Sequence, residues 1–93
     1  MAADDRIARY VTVFGHVQGV YFRESTRQAA RDAGVAGWVR NEPDGTVRAL
    51  LEGSAGAVER VLAFLQRGPQ RARVDHVEIE EAEPTGRTSF DVR

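Results

Sequence analysis

The hydrophobic and polar positions of this chain change their period several times, and each change predicts a separate element. Residues 7–14 are mostly β-branched, aromatic or small over the length of an average strand, and Gly15 ends the run. Residues 22–33 instead repeat small and apolar positions at helical spacing, and Gly34 follows as a left-handed stop. We therefore predict a first strand over 7–14 and a first helix over 22–33.

A hairpin is predicted directly after the first helix. Residues 35–41 and 46–52 alternate apolar and polar side chains, which is the period of a strand. Between them stands Glu42-Pro43-Asp44-Gly45, in which proline presets φ and glycine tolerates a positive φ. The second and third strands should therefore be neighbours in one sheet.

The second half of the chain predicts one more helix and two more strands. Ser54 is a suitable N-cap for a helix that ends at Gly68-Pro69. The apolar stripe of this helix consists of Val58, Val61, Leu62 and Leu65. Apolar and polar residues alternate again over 76–80, and residues 90–92 indicate a short last strand.

The resulting order is βαββαβ with a short extra strand near the C-terminus. Its natural architecture is a ferredoxin-like α+β sandwich, an antiparallel sheet with two helices on one face. An intervening strand then separates the first and second strands, so that these two run in the same direction and end at one edge of the sheet. The loop from Gly15 to Tyr21 and the residue Asn41 should therefore converge there.

The length of 93 residues predicts a single domain over residues 6–93, preceded by a flexible tail over residues 1–5. The acidic start lacks the apolar stretch of a signal peptide, which favours a cytoplasmic protein. No apolar run approaches the roughly 20 residues that span a bilayer, so we expect no membrane partner. We also expect a monomer.

Composition and charge exclude several kinds of function. The chain has no cysteine, which removes disulfides, thiolate nucleophiles and cysteine metal sites. Its 13 basic residues are all arginine and face 14 acidic ones, so the net charge of -1 gives no basic field for nucleic acid. An RNA-recognition module would also need aromatic residues on its central strands, and residues 46–52 contain none. His16 and His76 are isolated, so we expect no metal and no cofactor.

The segment from Gly15 to Arg23 is the main candidate for chemistry. It joins a strand to a helix and contains two glycines, an arrangement that brings backbone amides close to an anion, although many such junctions are only tight connections. Arg23 in the first helical turn opposes the helix macrodipole, and a bound anion would remove that conflict. Its guanidinium could hold two phosphate oxygens, or it could simply pair with Glu24.

Two segments resemble the two signatures of the acylphosphatase family. They are Gly15-His16-Val17-Gln18-Gly19-Val20-Tyr21-Phe22-Arg23 and Gly37-Trp38-Val39-Arg40-Asn41, the second followed by Gly45-Thr46-Val47. The helix end at Gly68-Pro69 and residues 72–75 are also similar, so the likeness covers nearly everything after the tail. The resemblance implies hydrolysis of a small-molecule acyl phosphate to a carboxylate and orthophosphate, without a metal.

The same resemblance implies roles for individual residues. Arg23 would bind the phosphate and Asn41 would orient the attacking water, while the loop would bind substrate chiefly through backbone amides. The candidate substrate-binding residues are Gly15, His16, Val17, Gln18, Gly19, Val20, Tyr21, Phe22 and Arg23. Two alternatives stay open: Asn41 could cap the turn at Pro43, and the domain could act through a partner, as the related domain of hydrogenase-maturation carbamoyltransferases suggests.

Overall fold

The computed structural model describes residues 5–93 and arranges them as five strands and two helices. In chain order these are β1 (Arg6–His16), α1 (Phe22–Ala33), β2 (Ala36–Asn41), β3 (Val47–Ser54), α2 (Ala55–Arg67), β4 (Arg73–Ala82) and β5 (Phe90–Val92). Of the tail predicted over residues 1–5, only Asp5 belongs to the described residues, and it is exposed. The rest of that prediction lies outside them.

The strands form one sheet in the order β4-β1-β3-β2-β5. β1 pairs antiparallel with β3 and β4, and β2 pairs antiparallel with β3, which confirms the ferredoxin-like arrangement for the first four strands. β5 differs, because it pairs parallel with β2 and makes the sheet mixed. Residues 83–89 carry the chain from one edge of the sheet to the other before β5 begins.

Local sequence signals placed both helices correctly. α1 has the predicted bounds and ends at Gly34, whose φ of 77° is left-handed. The Oγ atom of Ser54 accepts a hydrogen bond from the backbone N–H of Ala57 at 3.2 Å, which confirms the predicted N-cap of α2. Neither helix within residues 5–93 is long and apolar enough to cross a membrane.

The end of β1 was predicted wrongly. Gly15 does not stop the strand; β1 continues to His16, and its register with β4 shifts between Phe14 and Gly15. A Cβ on Gly15 would lie only 2.1 Å from the carbonyl oxygen of Arg73. Glycine is therefore needed here because the backbones of β1 and β4 approach each other too closely for a side chain.

Both helices pack on one face of the sheet, as predicted. α1 contacts β2 and β5, whereas α2 contacts β1, β3 and β4. The core between the layers includes Val11, Val13, Val39, Val47, Leu51, Val58, Val61 and Leu65. This packing fixes the ends of β1 and β2 relative to the start of α1, where the candidate loop lies.

The other face of the sheet carries a smaller apolar cluster around Trp38, which packs with Ala8 and Leu50. The guanidinium carbons of Arg40 and Arg93 lie 4.7 Å and 5.0 Å from the centre of the Trp38 ring. Trp38 is a packing residue, because only 6% of it is exposed. An RNA-recognition module would need such a ring to be accessible to a base.

Glu52 is a fully buried carboxylate that anchors the segment before β5. It accepts hydrogen bonds from the backbone N–H of Thr85 at 3.0 Å, the hydroxyl of Thr85 at 2.6 Å and the backbone N–H of Gly86 at 3.2 Å. Burial alone would raise the pKa of Glu52, but the hydrogen bonds from residues 85–87 outweigh it and hold the pKa below its ordinary value.

Glu52→Gln is expected to lower the free energy of unfolding at pH 7 by about 1–3 kcal/mol, because an amide replaces part of the acceptor surface that these donors require. The folded-state pKa is below the unfolded one, so the carboxylate stabilises the fold above the unfolded pKa of about 4.3 and loses this contribution as the pH falls through the folded value. Urea unfolding at pH 7 and pH 3 should therefore show a smaller difference between variant and parent at pH 3. Glu81→Gln, at an exposed position, is the control, and a difference independent of pH would contradict the prediction.

Candidate active site

The loop between β1 and α1 is anchored by buried apolar side chains. Val17, Val20 and Phe22 point into the core and are almost fully buried. Gly19 and Tyr21 alternate with them and are exposed. The buried side chains anchor the loop in the core, and the exposed residues between them leave its other side open to a ligand.

Gln18 connects this loop to the hairpin of β2 and β3. Its Nε2 atom donates to the carbonyl oxygen of Glu42 at 2.8 Å and to that of Thr46 at 2.9 Å. These bonds bracket the turn that follows Asn41, so they set the distance between the loop and the end of β2. The side chain of Gln18, predicted as part of the substrate-binding segment, thus has a positioning role that the sequence did not reveal.

The loop and the end of β2 enclose a cavity of about 370 Å³. Its lining includes six of the predicted site residues, namely Val17, Gly19, Tyr21, Phe22, Arg23 and Asn41. The convergence predicted from the topology is therefore observed, because β3 lies between β1 and β2 and makes them parallel. Glu24 and Val92 also line the cavity, and neither was singled out as a site residue from the sequence.

Four of the predicted substrate-binding residues do not line the cavity. Gly15 packs against the backbone of β4, and His16 is exposed at the end of β1. Gln18 bonds to the hairpin, and Val20 belongs to the core. These four residues do not form the wall of the cavity. The wall is formed by the lining residues of the loop and by Asn41.

Arg23 is one of the residues that line the cavity. Its Nη1 atom donates to the carbonyl oxygen of Arg93 at 2.9 Å, a contact between residues 70 positions apart in the chain. The alternative partner, Glu24, is instead bound by Arg27, whose Nε atom lies 3.2 Å from Oε1 of Glu24. The hydrogen bond from Arg27 also holds the pKa of Glu24 below its ordinary value.

The N-terminus of α1 adds to the positive character of this cavity. The N-cap residue, Tyr21, makes no side-chain hydrogen bond to the first turn. The backbone N–H groups of a first turn have no partner within the helix, and they favour a negatively charged ligand. Arg23 and the start of α1 therefore both supply positively polarised hydrogen-bond donors at the cavity.

Tyr21 has an unusual backbone conformation for its residue type. Its φ of 64° and ψ of 23° are left-handed, and it is the one non-glycine residue with positive φ among residues 5–93. For a residue with a Cβ atom this conformation costs about 1–2 kcal/mol. Such strain is typical of sites where the backbone geometry serves binding or catalysis.

Asn41 is the last residue of β2 and lines the same cavity as the loop. The alternative role, capping the turn at Pro43, is performed by Asp44. The Oδ1 atom of Asp44 accepts from the backbone N–H of Thr46 at 3.0 Å and from its hydroxyl at 2.7 Å. The turn thus has its own side-chain acceptor and does not depend on Asn41, which lines the cavity.

The described residues contain no group of three metal-ligating side chains close enough to hold an ion. His16 is exposed. The Nε2 atom of His76 lies 3.3 Å from the Oε2 atom of Glu78, and both residues belong to β4. Four acidic residues on β4 and directly after it are all exposed, as in a solvated strand face and turn; they are Glu78, Glu80, Glu81 and Glu83.

Comparisons with known proteins agree with this geometry. The acylphosphatase family model matches residues 9–92. An acylphosphatase of Rubrobacter xylanophilus is 54% identical over 85 residues, which cover 89% of this chain and 76% of the relative. An acylphosphatase of Gloeobacter violaceus is 48% identical over 86 residues, which cover 92% of this chain and 92% of the relative. The solved structure of a Coxiella burnetii acylphosphatase superimposes with a TM-score of 0.91 at 36% identity, covering 95% of this chain and 93% of that one. The resemblance read from the two signatures is thus confirmed, and the chain belongs to the acylphosphatase family of acyl phosphate hydrolases.

Proposed function

We propose that this chain hydrolyses acyl phosphates to a carboxylate and orthophosphate, with Arg23 holding the phosphate and Asn41 orienting the water that attacks phosphorus. The observation that carries this assignment is that Arg23 and Asn41, from different elements, line one cavity at the N-terminus of α1. Membership in the acylphosphatase family supports the choice of substrate.

The phosphate end of the substrate is bound by donors that the cavity already contains. The guanidinium of Arg23 fits two phosphate oxygens at once, and backbone amides near Gly19 and in the first turn of α1 supply further hydrogen bonds. A carboxylate is a good leaving group, so the reaction needs stabilisation of the phosphoryl charge more than a strong base. These donors provide that stabilisation.

The attacking water is assigned to Asn41. Its Oδ1 atom accepts a hydrogen bond from the water and fixes the direction of approach, which lowers the entropic cost of the reaction without removing a proton. The new bond joins the water oxygen to phosphorus, and the bond between phosphorus and the acyl oxygen breaks. Both electrons of that bond leave with the carboxylate, and both protons of the water stay on the orthophosphate, which is released as dihydrogen phosphate.

Hydrolysis in ¹⁸O-labelled water is expected to place the label in orthophosphate, because the donors converge on the phosphoryl group and not on the acyl carbon. Mass spectrometry of both products measures the distribution. The same substrate incubated without enzyme gives the background from spontaneous hydrolysis. Label in the carboxylate would mean attack at the acyl carbon and would contradict the mechanism.

We also propose a cytoplasmic location and a monomeric state, the two expectations that arose from the sequence. Cell fractionation checks the first. Light scattering on the purified chain checks the second, with a mass near 10.3 kDa expected.

A further inference from the structure

A second cavity, of about 520 Å³, is lined by the end of α1, the start of β2 and the segment before β5. Its lining includes three arginines from three parts of the chain, namely Arg6, Arg31 and Arg87. It shares no lining residue with the candidate active site. We propose that this second cavity binds a small anion with two linked phosphoryl groups, of which inorganic pyrophosphate is the simplest.

The charged residues that line the second cavity have one sign. Among residues 5–93, no aspartate or glutamate lines it, whereas three guanidinium groups do. A cleft lined by charges of one sign concentrates ions of the opposite sign. An anion is therefore the ligand that this cavity favours.

The three guanidinium groups differ in how far the chain itself satisfies them. The Nη2 atom of Arg6 donates to the carbonyl oxygen of Arg87 at 3.1 Å and lies 3.8 Å from Oε1 of Glu52. Arg31 and Arg87 form no ion pair with a carboxylate among residues 5–93. The Nε atom of Arg87 is buried and has no hydrogen-bond acceptor within the same residues. Buried donors without an acceptor are unfavourable and rare in folded proteins, and a bound anion would supply the acceptor.

The C-terminus of α1 at this cavity is capped. The last carbonyl groups of a helix carry partial negative charge, which repels an anion. Here the carbonyl oxygen of Ala30 accepts a hydrogen bond from the backbone N–H of Val35 at 2.8 Å. That of Arg31 accepts one from the backbone N–H of Gly34 at 3.2 Å. The end of α1 therefore weakens the attraction for an anion less than an uncapped helix end would.

The number of donors favours a ligand with two phosphoryl groups over one. In the candidate active site, a single phosphate is assigned to Arg23 in a cavity of about 370 Å³. The second cavity is larger, and the hydroxyl groups of Thr88 and Ser89 also line it. A guanidinium can pair with two oxygens of one phosphoryl group. A ligand with two such groups can therefore satisfy Arg31 and Arg87 together.

The experiment is a titration of the ¹⁵N-labelled parent with inorganic pyrophosphate at constant ionic strength, followed by amide NMR. The amide signals of residues 34–36 and 87–90 should shift, and these signals alone give the Kd of the second cavity. The signals of residues 15–24 report the candidate active site separately. Orthophosphate should bind the second cavity with a Kd at least about tenfold higher, because it lacks the second phosphoryl group.

Arg31→Gln and Arg87→Gln are each expected to raise the Kd of the second cavity for pyrophosphate about ten- to a hundredfold, because each removes a charge-assisted hydrogen bond. Arg31 is exposed, so its replacement leaves the fold intact. Arg60→Gln, at an exposed position of α2, removes the same charge outside the cavity and should change the Kd less than about twofold. In all three variants kcat/KM for acyl phosphate hydrolysis should stay parental, since none of these residues lines the candidate active site.

ADP carries the same pair of linked phosphoryl groups and distinguishes the two sources of this chemistry. A lower Kd for ADP than for pyrophosphate at residues 34–36 and 87–90 would identify a nucleotide as the ligand. An equal or higher Kd would identify inorganic pyrophosphate. Either result supports an anion site at the second cavity.

Three outcomes would overturn the inference. Pyrophosphate that shifts only the signals of residues 15–24 binds the candidate active site alone. A Kd at residues 34–36 and 87–90 that Arg31→Gln and Arg87→Gln leave unchanged, or that Arg60→Gln raises equally, would show general attraction between charges. Orthophosphate that binds as tightly as pyrophosphate would contradict the class of ligand. A parent that hydrolyses no acyl phosphate would remove the proposed function but not this site, because the two cavities share no lining residue.

Discussion

Arg23→Lys is expected to lower kcat/KM for acyl phosphate hydrolysis by about a hundred- to a thousandfold, the usual effect of losing one preorganised donor to a developing charge. An ammonium group keeps the positive charge but loses the planar pair of donors that matches two phosphate oxygens. It also loses the geometry in which one guanidinium nitrogen bonds to the carbonyl oxygen of Arg93. The remaining charge is therefore held less firmly beside the phosphate.

Phosphate release from benzoyl phosphate measures the effect, and thermal unfolding shows whether the variant keeps its fold. Arg31→Lys is the matched control, because Arg31 lies exposed in the last turn of the same helix. It should keep parental activity. If Arg23→Lys also keeps near-parental kcat/KM with an unchanged Tm, Arg23 does not bind the phosphate and the proposed site is wrong.

Asn41→Ala is expected to lower kcat by about a hundredfold, because the attacking water loses the acceptor that fixes its position. The inhibition constant of orthophosphate should change less than about twofold, since the anion is assigned to Arg23 and the backbone amides and not to Asn41. Steady-state kinetics with orthophosphate as a competitive inhibitor measures both quantities in one series.

Asp44→Ala separates this role from a contribution to the turn. Asp44 supplies the side-chain hydrogen bonds of the hairpin turn. Removal of the Asp44 carboxylate should therefore lower the free energy of unfolding and have little effect on kcat. Equal losses of kcat and orthophosphate affinity in Asn41→Ala would place Asn41 among the groups that hold the anion. A similar kinetic loss in Asp44→Ala would make the turn responsible.

Most of the secondary structure could be predicted because its signals are local. The bounds of α1 follow from helical spacing and from Gly34, whose left-handed conformation terminates the helix. The N-cap at Ser54 and the turn around Pro43 are likewise set by neighbouring residues. The exact strand ends were less accurate, since pairing with another strand decides them. β1 continues through Gly15 only because β4 lies beside it.

The candidate site was predictable in part. The resemblance of residues 15–23 and 37–41 to the family signatures identified the loop and Asn41, and the βαββαβ order predicted that they converge. The order alone did not reveal which loop residues face the cavity. Whether a loop residue lines the cavity depends on its tertiary contacts. Val20 is buried in the core, and Gln18 forms hydrogen bonds to the hairpin, so neither lines the cavity.

The sequence by itself determined the two helices, the hairpin, the order of elements along the chain and the family, because these depend on local periodicity, caps, turns and short signatures. Only the tertiary structure decided that β5 runs parallel to β2, which brings Val92 to the cavity and the carbonyl oxygen of Arg93 to Arg23. Arg23 and Arg93 are 70 positions apart in the chain, and the paired residues of β2 and β5 are also distant from each other in sequence. No local pattern encodes them, since they arise from the path of residues 83–89 across the sheet and from the packing that Glu52 fixes there.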